Sequence, residues 1–126
     1  MKEYIRYTRN PKNETNDCII RSIANAEDRD WVDVMRDMCD LAISMYNMPN
    51  AYEVNQAYME KKGYPEEYTF ASDNITVETF CEQHPEGRWV VLLEDHALSV
   101  INGDFYDLTN SLNEKVVSYW CVKENS

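Results

Sequence analysis

The chain has no closely spaced cysteine pair, few histidines, a deficit of basic residues and no long apolar run. Each shortage removes a class of function. Cys18, Cys39, Cys81 and Cys121 are scattered without a CxxC pair, and His84 and His96 are the only histidines, which leaves little from which to build a zinc site. No metal or other cofactor is expected. Lys and Arg number 12 against 23 Asp and Glu, a formal net charge of −11. Such a chain repels phosphate backbones, so nucleic acid and anionic membrane are not expected as partners, whereas a basic protein or peptide segment is attracted. The same acidity also aids solubility. The opening residues lack the apolar stretch of a signal peptide, and no segment approaches the length of a membrane span. The expectation is a soluble, cytoplasmic protein whose cysteines remain thiols in a reducing compartment.

What is present reads as helices followed by strands. At 126 residues, without repeats, low-complexity tracts or an interdomain linker, the chain is expected to form a single domain over 1–126. After a polar lead containing Asn10-Pro11-Lys12-Asn13, the pattern predicts a helix over 17–26. Trp31, Val34, Met35, Met38, Leu41, Ala42 and Met45 recur at three- and four-residue steps, predicting a second helix with a core-facing, Met-rich stripe and with Asp30 and Asp33 at its N-cap and first turn. Pro49 lies in a breaker. A third helix is predicted over 51–62, with Val54, Ala57, Tyr58 and Lys61 on one side and Gly63 as its stop. A fourth, over 77–83, is capped by Thr76 and ended by His84-Pro85-Glu86-Gly87.

Trp89-Val90-Val91-Leu92-Leu93 is a continuous apolar run of the kind found in a central strand covered on both faces. Next, 96–101 and 104–108 flank Asn102-Gly103, a strong hairpin signal, and a last strand is predicted over 116–122. The predicted class is α+β, with N-terminal helices packed on a small antiparallel sheet.

Cys18 begins the first helix. A helix N-terminus presents unpaired N–H groups and partial positive charge, which favour a thiolate and can bind an oxyanion. At about 100° per residue, Ile19, Ile20, Ile23, Ala24 and Ala26 share a side, whereas Cys18 falls opposite with Arg21, Ser22 and Asn25. The thiol is thus expected off the apolar stripe. Unpaired cysteines are most often small buried hydrophobes, so the case for chemistry rests on partners elsewhere.

The hairpin supplies them. With a two-residue turn, Ile101 opposes Asp104, and counting outward sets His96 opposite Thr109. Asp107 then shares a sheet face with His96 at a diagonal spacing of about 7–8 Å. Its carboxylate is expected to accept the Nδ1–H of His96, leaving Nε2 to take a proton from a thiol. A bulged three-residue turn would shift the register by one and put Asn110 in place of Asp107. His84, in a polar stop segment, ranks behind His96 as a base. Glu94 and Asp95 read as loop-edge charges able to raise the His96 pKa, and Tyr106 and Trp120 as core or cleft wall.

Asn16-Asp17-Cys18-Ile19-Ile20-Arg21-Ser22-Ile23-Ala24, followed by the stretch from Trp89 through His96 and Asn102-Gly103 to Asp107, resembles the small papain-like cysteine peptidases of bacteria and bacteriophages. The resemblance runs in order from about Asn13 to Asp107. It implies a papain-like α+β fold and a Cys18-His96-Asp107 triad. It also implies an oxyanion hole built from the Cys18 amide and an upstream side chain, usually Gln. No Gln precedes Cys18; Asn13 lies five positions upstream, and Asn16, two upstream, is the alternative. The implied activity is thiol-dependent cleavage or transfer at a peptide or isopeptide bond in a protein or peptide substrate, in host cytoplasm if the chain is viral. Loops around 48–50 and 64–74 are expected to select that bond. The alternative is a catalytically weak or inactive domain of the same fold, acting as an acidic protein-binding inhibitor.

Overall fold

The structure, a computed structural model, describes residues 4–6, 17–69, 73–107 and 110–124. Among these lie four helices, α1 (Cys18–Glu27), α2 (Trp31–Ser44), α3 (Tyr52–Lys62) and α4 (Val77–Gln83). Six strands accompany them: β1 (Tyr4–Arg6), β2 (Glu66–Tyr68), β3 (Arg88–Leu93), β4 (His96–Ile101), β5 (Asp104–Asp107) and β6 (Ser118–Lys123). The class is α+β, as the sequence pattern predicts.

Local chemistry explains the helix boundaries. The Thr76 hydroxyl accepts the Thr79 N–H at 3.2 Å and starts α4, while Gly63, at φ 78°, ends α3 in the left-handed region that glycine enters without steric cost. Asp17 stands at the N-cap of α1 without a side-chain cap bond. Its carboxylate is instead occupied by Arg21 and Trp31.

The strands form one sheet in the order β1-β5-β4-β3-β6-β2, which makes β3 and β4 its centre. Asn102 and Gly103 both take positive φ, the mark of a two-residue primed turn, and Ile101 pairs with Asp104, Val100 with Phe105 and Ser99 with Tyr106. This is the register expected from Asn102-Gly103, without a bulge. Two features depart from the predicted antiparallel sheet. Strand β1 pairs parallel with β5, and β2, within the segment read as a loop, pairs antiparallel with β6. Three-residue edge strands carry too little alternation to be recognised, and their partners are distant in sequence. The last strand also begins later than predicted, at Ser118; Val116 is buried but lies outside it.

Both faces of the sheet are covered. On one, α1, α2 and α3 bury Ile19, Ile23, Val34, Met38, Val54 and Met59 against Val90, Ala97 and Trp120. On the other, Val77 and Phe80 of α4 join Val91, Leu98, Val100 and Phe105. Successive valines of β3 therefore enter opposite cores, which is why its sequence is continuously apolar. Three helix faces differ from expectation. Arg21, Ser22 and Asn25 of α1 are buried as fully as its apolar stripe, because this helix is enclosed on its polar side as well. In α3 the buried positions are Val54, Asn55, Tyr58 and Met59, so Ala57 and Lys61 do not belong to its core face. In α2, Val34, Met38 and Ala42 are buried, Met45 is exposed, and Trp31 and Met35 are only partly covered. No helix among the described residues is long and apolar enough to cross a membrane.

Candidate active site

His96 opens β4 and Asp107 closes β5, so the antiparallel hairpin brings both to one end of the sheet. The N-terminus of α1, which lies along β4, carries Cys18 to the same end. His96 and Asp107 meet as the hairpin register requires, but through the other ring nitrogen. Nε2–H donates to both carboxylate oxygens of Asp107, at 2.9 Å to Oδ1 and 2.8 Å to Oδ2. The expected Nδ1 contact is thus replaced, leaving Nδ1 as the ring nitrogen for Cys18. Strand register fixes which side chains are neighbours; rotation about the histidine's Cα–Cβ and Cβ–Cγ bonds decides which nitrogen each neighbour meets.

The electrostatics follow from these contacts. Burial pushes the Cys18 thiol up, but the hydrogen bond and charge of His96, the Ala97 backbone and the charge of Arg21 together hold it below its ordinary value of 9.0. His96 is raised to about 9, chiefly by its hydrogen bond to Asp107 and then by that to Cys18, against the opposing effect of burial. Both shifts favour a thiolate beside an imidazolium. Glu94 and Asp95 are not among the main causes; they form the turn before β4, and Asp95 lines the adjacent cleft.

Asp107 is fully buried. A carboxylate there requires compensation, which comes from His96, from the Ser111 hydroxyl donating to Oδ2 at 2.8 Å and from Arg21 Nη2 at 3.5 Å from Oδ1. Arg21, itself 2% exposed, also donates through Nη1 to Asp17 Oδ1 at 2.6 Å, and the Trp31 indole donates to Asp17 Oδ2 at 2.8 Å. A chain of polar contacts therefore runs from Trp31 through Asp17, Arg21 and Asp107 to His96. The sequence contained one clue to it, the i,i+4 spacing of Asp17 and Arg21 on one helical face. Nothing in the local sequence ties Ser111 to Asp107.

A cleft of about 720 Å³ opens beside the thiol. Cys18, His96, Ala97 and Asp95 stand at its polar side, and Trp31, Met35, Tyr52 and Leu92 contribute apolar wall. This volume lies within the range of about 300–1,000 Å³ usual for ligand sites. The partial exposure of Trp31 and Met35 follows from this position: they line the cleft from a stripe that the sequence assigned to the core.

The remaining candidates fall elsewhere. The Asn110 side chain accepts the Leu112 N–H at 3.2 Å within its own turn, so Asp107 is the residue on His96. His84 stacks on Phe80 at a centroid separation of 3.9 Å, its Nδ1–H donating to the Phe80 carbonyl. Trp120 is a core residue, as read. Asn13 and Asn16, the expected oxyanion-hole side chains, lie outside the described residues, as does Thr109. All four cysteines are free thiols, and no group of three or more His, Cys, Asp or Glu among the described residues is arranged to hold a metal ion.

Comparison with protein-family models, with curated proteins and with solved structures finds no match. The functional reading therefore stands on this geometry.

Proposed function

We propose that the protein is a papain-like thiol hydrolase or transferase that cleaves a peptide or isopeptide bond through Cys18, His96 and Asp107. The observation that carries this reading is a thiol of lowered pKa, hydrogen-bonded to a histidine that a buried carboxylate orients, at the edge of a cleft. The chain order supports it too: the cysteine begins a helix laid on the sheet, and the histidine and aspartate follow on neighbouring strands.

The Cys18 thiolate attacks the carbonyl carbon, forming a C–S bond and moving an electron pair onto oxygen. The Cys18 backbone N–H, in the first turn of α1, stabilises that oxyanion. As the C–N bond breaks, imidazolium Nδ1 gives its proton to the departing amine, leaving a thioester. Water then loses a proton to Nδ1 and attacks the thioester; the C–S bond breaks, the acid departs and the thiolate–imidazolium pair returns. Asp107 keeps Nε2 protonated throughout, so that Nδ1 performs both transfers. Asn13 or Asn16 would supply the second oxyanion donor.

Labelling with iodoacetamide or a vinyl sulfone at near-neutral pH tests the reading. Cys18 should react ahead of Cys39, Cys81 and Cys121, and His96→Ala should slow it by about tenfold or more, because losing the hydrogen bond and charge of His96 lowers the thiolate fraction. Equal labelling of all four, or no effect of His96→Ala, would overturn it. The alternative, an inhibitor that binds through its acidic surface, would be favoured by partner binding that survives Cys18→Ala with no bond cleaved.

A further inference from the structure

A smaller pocket, of about 250 Å³, opens on the sheet face turned away from the Cys18 core. Its walls are aromatic and acidic: Trp89, Tyr119 and His84 present ring surface, Glu67 and Glu124 carboxylates, and Cys121 a thiol. The rings meet steeply, with centroids 4.6 Å apart at 67° for His84 and Trp89, and 5.9 Å apart at 73° for Trp89 and Tyr119. These are edge-to-face contacts, the arrangement aromatic pairs favour, and they hold the three rings together along the pocket.

These walls are fixed in place. Tyr119 donates its hydroxyl to Glu67 Oε2 at 2.8 Å, and His84 donates Nδ1–H to the Phe80 carbonyl at 2.9 Å. None of the described lining residues is Lys or Arg. Cys121 registers the resulting field, since its thiol is pushed up by burial and then by the charges of Glu124 and Glu67.

We propose that this pocket binds the guanidinium group of an arginine on a partner protein. A planar cation gains from stacking on aromatic faces while its N–H fork donates to carboxylates, and a ring-and-carboxylate wall offers both at once. The net charge of −11 draws such a partner toward the protein. The pocket uses none of the triad residues, so it stands or falls independently of the proposed hydrolysis.

The test is to titrate N-acetyl-arginine amide, and separately its neutral citrulline counterpart, into the full chain while following the Trp89 indole N–H by NMR. Arginine should shift that signal saturably, and citrulline should bind at least about tenfold more weakly, as should arginine to Glu124→Gln. Glu124 is exposed, so this variant leaves the packing intact. Cys18→Ala should bind arginine like the parent. An equal response to citrulline, unchanged affinity in Glu124→Gln, or a shift confined to the Trp31 indole of the catalytic cleft would overturn the proposal.

Discussion

Around the N-terminus of α1, Arg21 and Asp107 are buried beside Asp17 and His96, whereas beneath α4 the interior is hydrocarbon and ring, from Val77 and Phe80 to Leu98, Val100 and Phe105. Both interiors are dry. They differ in what holds them together. The α4 face is stabilised by apolar burial, which is non-directional and tolerates exchange of similar volumes. The cluster at the N-terminus of α1 encloses ions that persist only as a set, because each carboxylate left without its cation would have to be rehydrated or protonated. This second kind of interior favours the charged forms of Cys18 and His96, the forms the proposed hydrolysis uses.

The largest effects should separate the two interiors. Arg21→Met removes the cation shared by Asp17 and Asp107 while roughly keeping its volume, and should cost about 3–5 kcal/mol in denaturant unfolding. It should also raise the Cys18 pKa, since the Arg21 charge helps to lower it. Phe80→Ala should cost a similar amount, about 3–5 kcal/mol, through the cavity it leaves. Its alkylation profile against pH should match the parent. If Phe80→Ala moved that profile as far as Arg21→Met does, the contrast between the two interiors would fail.

A second contrast appears with pH. The His96 pKa is raised from 6.5 to about 9, so the protonated ring is favoured in the folded protein. Its contribution to stability is fully present below about 6.5 and is lost as pH rises through about 9. The His96 imidazolium should accordingly persist to about pH 9, and Asp107→Asn, by removing the chief cause of the shift, should move that upper limit downward. NMR titration of the His96 ring protons gives both values; an unchanged midpoint in Asp107→Asn would show that the carboxylate does not set the pKa.

The smallest effect belongs to the α4 face. Thr76→Ala removes the side-chain cap on the Thr79 N–H and should cost about 1 kcal/mol, with the Cys18 reactivity unaltered. A change in thiol reactivity would mean that α4 is coupled to the site through the sheet.

Much of this arrangement is legible along the chain, and what escapes does so for identifiable reasons. Thr76 and Gly63 mark helix ends because a hydroxyl cap and a left-handed glycine act within a few residues. Asn102-Gly103 fixes the hairpin register, and with it the pairing of His96 and Asp107, because turn geometry is local. Helical phase sets Arg21 off the apolar stripe without showing whether that polar side is covered. It places Trp31 and Met35 on a core stripe for the same reason: an apolar stripe does not reveal which of its members border a cleft. Strand β1 could not be recognised from three residues whose partner lies about a hundred positions away.

The sequence by itself determined the α+β class, the four helices, the central strands and the candidate trio Cys18, His96 and Asp107, since periodicity, capping and turn chemistry are properties of neighbouring residues. Tertiary structure decided that Nε2 of His96, not Nδ1, meets Asp107, and that Arg21 and Ser111 surround that carboxylate. It also decided that a cleft opens beside the thiol. Apart from the Ser111 contact, which spans only four residues, those outcomes depend on the approach of α1 to the β4–β5 hairpin from far along the chain, where packing and the need to compensate buried charge select one arrangement from several that the local pattern allows equally.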